Sequence, residues 1–336
     1  MQTDNLYEEF LGDWSELWFA NTRDWLDVVD SRSGWDSPEW MRRNPNIAWK
    51  MIQANNNGVW SYPHLSSNSN ITSKIIQENP DKRWCYTLLS ANPSITWNTI
   101  KSNPDERWNY SMMSFNPNIT WEIVDSNPDN NWNYTALSHN PNITWEIVCK
   151  NPDKPWGYRA LSHNINITWE IVQLNPDKPW CYYALSQNSN ITWDIVQTNP
   201  NKRWSYLALS NNENITWEIV QANQDKPWDY GILSQNKNIT WKIVQANPGK
   251  AWNYHKLSLN PNITWEIVQG NPDKEWNYKH LMRNEMNEFR NNFIRKKFQQ
   301  WFKRSDLKAE LMAVVWHPRN FEKFKYLDSE TFGEEF

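Results

Sequence analysis

Between Asn44 and Arg283 the apolar and polar positions follow one pattern of 24 residues, repeated ten times without insertion. The unit reads approximately Asn-Pro-Asn-Ile-Thr-Trp-Glu-Ile-Val-Gln-x-Asn-Pro-Asp-Lys-x-Trp-x-Tyr-x-Ala-Leu-Ser-x. Its first Asn stands at 44, 68, 92, 116, 140, 164, 188, 212, 236 and 260. Two short apolar clusters per unit, separated by turns rich in Asn, Asp and Pro, predict two short helices. A fixed period of this length marks a solenoid, in which a unit that cannot bury its apolar face alone packs on its neighbours.

The unit beginning at Asn140 shows how the helices are set. Thr144 reads as an N-cap, with Trp145 first in the helix and Glu146 facing the positive end of the helix dipole. Ile143 and Val148 have the spacing of a hydrophobic staple. Pro152 excludes Asn151 from helical geometry, which limits the first helix to about two turns. Asp153 reads as a second cap, with Lys154-Pro155-Trp156 in the first turn behind it, where proline is tolerated. The second helix then runs to about Ser162 and stops at Asn164. The expected fold is all-α: an α-solenoid of ten helix-turn-helix repeats with helical caps, a rod or superhelix on the order of 90 Å long if neighbours pack about 8–10 Å apart.

Asn at the twelfth position, Trp at the seventeenth and Tyr at the nineteenth recur in all ten copies, as does the first Asn. Of the 26 Trp in the chain, 19 lie at the sixth and seventeenth positions of the repeat. This regularity suits a continuous aromatic core; a stacking platform for bases or sugars is the sharper alternative. The invariant Asn amides are expected to satisfy turn carbonyls and amides, one rung per unit. Ser73 takes the place of Trp in the second copy, and the first copy reads Asn55-Asn56-Asn57-Gly58 in its turn. Degeneration of this kind is expected beside a terminal cap.

Charge separates the flanks from the array. Residues 1–43 hold ten acids against four bases, whereas the array holds 19 acids against 20 bases. The first segment, with Trp14, Trp18, Trp25, Trp35 and Trp40 off the repeat spacing, reads as an acidic, aromatic, helical N-terminal cap. Residues 284–336 read as C-terminal capping helices and an acidic tail. Within them, 289–304 interleaves Phe289, Phe293, Phe298, Trp301 and Phe302 with six basic residues and no acid. That stretch is expected to cap the last repeat; its other reading is a basic amphipathic helix for an acidic partner or a membrane surface.

Several chemistries lack their residues. Eight glycines in 336 residues leave no glycine-rich phosphate loop, and no paired His ligands or Cys-x-x-Cys occur. Recurrent carboxylates such as Glu122, Glu146 and Glu170 sit at one position, as solvated helix starts do. An enzyme, a cofactor and a metal are therefore not expected. The near-neutral array argues against nucleic acid, which needs clustered Lys and Arg. No stretch approaches the roughly 20 apolar residues of a membrane span. The start Met1-Gln2-Thr3-Asp4 lacks the pattern of a secretion signal. The Asn-Ile-Thr triplets from Asn70 onward match a glycosylation sequon, but the staple and cap already require them. Cys85, Cys149 and Cys181 read as free thiols in a reducing compartment.

Recognition is expected where the repeat is free to vary, at the twentieth and last positions. His139, Arg159, His163 and Tyr183, in the middle of the array, are the candidate partner contacts. This points to a non-enzymatic protein–protein interaction scaffold whose partner is an unidentified protein. A self-assembling structural component and a repeat protein that reads nucleic acid are the alternatives.

The repeat Asn-Pro-Asn-Ile-Thr-Trp-Glu-Ile-Val-Gln…Asn-Pro-Asp-Lys-Pro-Trp-Asn-Tyr…Leu-Ser resembles the tandem-repeat proteins expanded in genomes of giant DNA viruses. The segment Glu310-Leu-Met-Ala-Val-Val-Trp-His-Pro-Arg-Asn-Phe is similar to the closing segment of those proteins. The likeness covers 44–283 and roughly 310–328. It implies a viral protein made in host cytoplasm, not secreted, and it lends no activity and no functional residues.

Overall fold

A computed structural model of the protein describes Asp13, Asn44 and residues 46–54, 60–281, 283, 284 and 293–296. Each repeat contributes two helices, from Trp49–Ala54 and Tyr62–Leu65 in the first to Trp265–Gln269 and Tyr278–Leu281 in the last. No strand occurs among the described residues, and the all-α solenoid stands.

The first helix forms as its sequence dictates. Thr144 is extended and its hydroxyl accepts from the Ile147 amide at 3.3 Å, opening the helix Trp145–Lys150. Asn151 ends it. Its side-chain amide donates to the Ile147 carbonyl at 2.9 Å, and its own carbonyl accepts from the Trp156 indole N–H at 2.8 Å. The twelfth-position Asn thus works inside its own repeat, closing the turn on both sides.

That closed turn displaces the second helix from its expected start. The Trp156 amide bonds back to the Lys154 carbonyl at 2.8 Å, two residues away, which no helix allows. The chain stays extended through Gly157, and the helix runs over Tyr158–His163. Asp153 is therefore not a cap; its carboxylate lies 3.5 Å from Lys154 Nζ. The cap is the eighteenth position instead, where Asn109, Asn133, Ser205, Asp229 and Asn253 each accept from the amide three residues on.

Repeats are joined by a buried ladder that begins at the first Asn. Asn164 Nδ2 donates to the carbonyls of Asn140 and Ile143 in the preceding repeat and of Ser138 at the end of the one before it, at 3.0, 3.4 and 3.0 Å. Its Oδ1 accepts from the Asn166 amide, and Asn166 Nδ2 reaches back to Pro141 and Ile143. Equivalent first-position rungs run from Asn68 to Asn284, one residue beyond the last repeat. A second seam lies at Ser162, whose hydroxyl donates to Tyr158 O and accepts from the Cys181 amide of the next repeat. These buried polar groups fix register as well as distance, because a slip of one residue would orphan several at once.

The aromatic positions form the expected continuous core. Trp145 lies 5.3 Å from Trp180 of the next repeat, and Tyr158 meets the same indole edge-on at 5.6 Å. The pattern recurs along the array, and both Trp rows join one apolar cluster with the buried Ile and Leu. Ser73 breaks it, so Trp108 receives Tyr86 alone, at 5.1 Å.

The array is not a rod. Asn46 Nδ2 donates to the carbonyl of Asn284 at 3.1 Å. First and last repeats meet, and the solenoid closes head to tail. The cause is unequal spacing on the two sides of each repeat. A side-chain amide bonded to the equivalent carbonyl holds successive repeats about 6 Å apart at the ladder, while packed helices stand about 8–10 Å apart. Each repeat is a wedge, and ten wedges turn the chain back on itself. Among the described helices, the most extensive contacts are between consecutive second helices, Tyr158–His163 with Tyr182–Gln187 and Tyr182–Gln187 with Tyr206–Leu209. In a closed array the more tightly spaced elements face inward, so second helices form the inner wall and first helices the outer one.

The expected N-terminal cap at 1–43 and the capping helices of 284–336 lie almost entirely outside the described residues. Within 293–296 the chain is helical, with Phe293 and Ile294 in the apolar cluster and Arg295 and Lys296 exposed.

Candidate interaction surface

The twentieth and last positions are four residues apart on the second helix and share one face. Their partners in the repeat decide which face that is. Leu161 and Ser162 point into the core, buried, while Arg159 and His163 are exposed. The same division holds for Leu185 and Ser186 against Tyr183. The varying residues therefore line the inner wall.

All four residues singled out from the sequence lie there, on adjacent repeats, and they meet as two pairs. The His139 and His163 rings are 6.1 Å apart, edge to face. The Arg159 guanidinium lies over the Tyr183 ring at 5.9 Å, a cation–π contact between consecutive repeats. Partial burial, and then the neighbouring His163 charge, hold the His139 imidazole below its ordinary pKa. The structure also adds Phe115 and Leu207, exposed by 48% and 45% beside Tyr183 at 41%. Their signal was present in the sequence as large apolar residues at positions where other repeats carry Ser, Thr, Gln or Asn.

Elsewhere Ile165 and Leu174 are also exposed, at 60% and 73%, beside paired charges. In the turns after the first helices, lysine stands beside aspartate within the repeat, as in Lys82 with Asp81, Lys178 with Asp177, Lys226 with Asp225 and Lys274 with Asp273. Each pair lowers its aspartate pKa and raises that of its lysine, first through the side-chain hydrogen bond. A groove of about 380 Å³ between repeats is lined by Trp169, Trp180, Tyr182, Lys178 and Lys202, with no acid or histidine. Among the described residues no three His, Cys, Asp or Glu side chains are grouped to hold a metal ion, and no helix is long and apolar enough to cross a membrane. The chain matches no family model, no curated protein and no solved structure.

Proposed function

We propose that the protein is a non-enzymatic scaffold that binds another protein on the inner wall of its closed solenoid. One observation carries this reading. An invariant frame of Asn, Trp and Tyr, with Ser in nine of the ten repeats, presents a wall whose exposed residues change from repeat to repeat, with Phe115, Tyr183 and Leu207 left uncovered. Exposed aromatic and aliphatic side chains beside an Arg are the composition of interface hot spots. The likeness of the repeat to tandem-repeat proteins of giant DNA viruses supports host cytoplasm as its setting. Closure disfavours head-to-tail self-assembly, because the terminal edges are used on each other. The test is affinity capture from infected-cell lysate with the full chain, alongside Arg159→Ala and Tyr183→Ala. The reading expects specific proteins that the variants lose. Capture of the same set by both variants, or of nothing but further copies of the chain, overturns it.

A further inference from the structure

The inner wall carries no acid. Across the twentieth and last positions of ten repeats, and the twenty-first, which is a buried Ala in the fourth to seventh, there is not one Asp or Glu, although the array contains 19 acids. The same positions hold nine basic residues, among them all five histidines of the array. On the outer side Glu122, Glu146, Glu170 and Glu218 are exposed at the starts of first helices. The inner cations differ from most turn lysines in a second way. Among the described residues Arg159, Lys256 and Lys279 form no ion pair with a carboxylate, whereas Lys82, Lys154, Lys178, Lys226 and Lys274 each stand beside an Asp. Lys237, at the edge of the wall, is held by Glu213 at 2.6 Å.

We infer that the inner wall takes an acidic peptide segment with interspersed apolar residues, carried by a partner protein. This rests on the scaffold reading and names the chemistry of its partner. Carboxylates would pair with Lys256, Lys279 and Arg159, and apolar side chains would pack on Phe115, Tyr183 and Leu207. A cleft of one charge sign with low-dielectric walls focuses its field inward, which favours an anionic occupant although the chain as a whole is net −4. Nucleic acid fits less well. Its backbone needs a continuous run of cations, and the Lys and Arg side chains here fall in the fifth, ninth and tenth repeats with apolar and neutral wall between them.

The probe is a phage-displayed library of random dodecapeptides selected on the full chain, on Lys256→Glu with Lys279→Glu, and on the outer-wall control Lys242→Glu. Wild type and control are expected to enrich peptides rich in Asp and Glu with Leu, Phe or Tyr. The double variant is expected to lose them, with synthesised winners binding it at least about tenfold more weakly in anisotropy. Circular dichroism of the variants checks that each is folded. Enrichment without acidic bias, the same peptides on the double variant, no enrichment, or tighter binding of an oligothymidylate than of any peptide overturns the inference. If lysate proteins are still captured in an Arg159- and Tyr183-dependent manner while these outcomes occur, the scaffold reading survives and only the acidic class of partner falls.

Discussion

Asn46 donates its side-chain amide to the carbonyl of Asn284, 238 residues further along the chain, at 3.1 Å. In the following repeats the third-position residue reaches back to the repeat before it, as Asn70 does to Ile47 and Asn118 to Pro93 and Ile95. The first repeat has no predecessor. Asn284, one residue beyond the last repeat, takes that place for Asn46, while the first-position amide of Asn44 is buried without a partner among the described residues. Asn46 is accordingly buried, whereas Asn70, Asn118 and Asn142 are half-buried.

Asn46→Ala is expected to cost about 1–2 kcal/mol and to loosen both ends of the array together. Hydrogen exchange followed by mass spectrometry should show faster exchange in the first and the tenth repeat, with the fourth to seventh unchanged. Faster exchange in the first repeat alone is the behaviour of an open solenoid.

The ladder makes a second distinction. Asn164→Ala removes a donor that serves three carbonyls and the acceptor of the Asn166 amide, at an expected cost of about 2–4 kcal/mol in urea denaturation. Asn164→Asp keeps the acceptor but turns an oxygen toward those carbonyls, so it should cost more than alanine. A milder Asp than Ala would mean that the rung is not made by the amide.

Position 73 tests the aromatic core in the stabilising direction. Elsewhere a sixth-position indole lies against the next repeat's Trp, at 6.3 Å for Trp97 with Trp132 and 5.3 Å for Trp169 with Trp204. Ser73→Trp should complete the row on Trp108 and add about 1–2 kcal/mol. A loss of stability on thermal denaturation would show that the second repeat has packed around the smaller residue.

Much of this was legible in the residues, and the exceptions share a cause. Thr144 as cap, Trp145 as helix start and Asn151 as its end followed from local geometry, and exposure of His139, Arg159, His163 and Tyr183 followed from their variability. Asp153 misled because a Pro-Asp-Lys-Pro run resembles a helix start, while the bond that prevents one joins Trp156 to Asn151 through a side chain. The first Asn was visible as a phase marker, yet its role depends on a carbonyl 24 residues away. Closure was hidden for the same reason. It is a sum of small wedge angles set by how long an Asn side chain is relative to a helix diameter, and no single repeat displays it.

His139 gives the wall a pH dependence. Its folded pKa lies below the ordinary value, first through burial and then through His163. Above about pH 6.5 the ring is neutral in folded and unfolded chains, and stability from this group is complete. As pH falls through that value toward the lower folded pKa, the unfolded chain binds the proton first and stability declines. Imidazole resonances should show His139 titrating below a free histidine and moving part of the way back in His163→Gln. A His139 pKa at or above the ordinary value would remove this dependence.

The closed array is tested most directly by the distance between its two ends. Fluorophores placed on cysteines at Lys50 and Glu275, both exposed, in a chain with Cys85, Cys149 and Cys181 replaced by serine, would report it by energy transfer. Closure predicts efficient transfer, with the labels a few repeat spacings apart, roughly 30 Å. Transfer near zero, as for ends separated by about 90 Å along an extended stack, would contradict it.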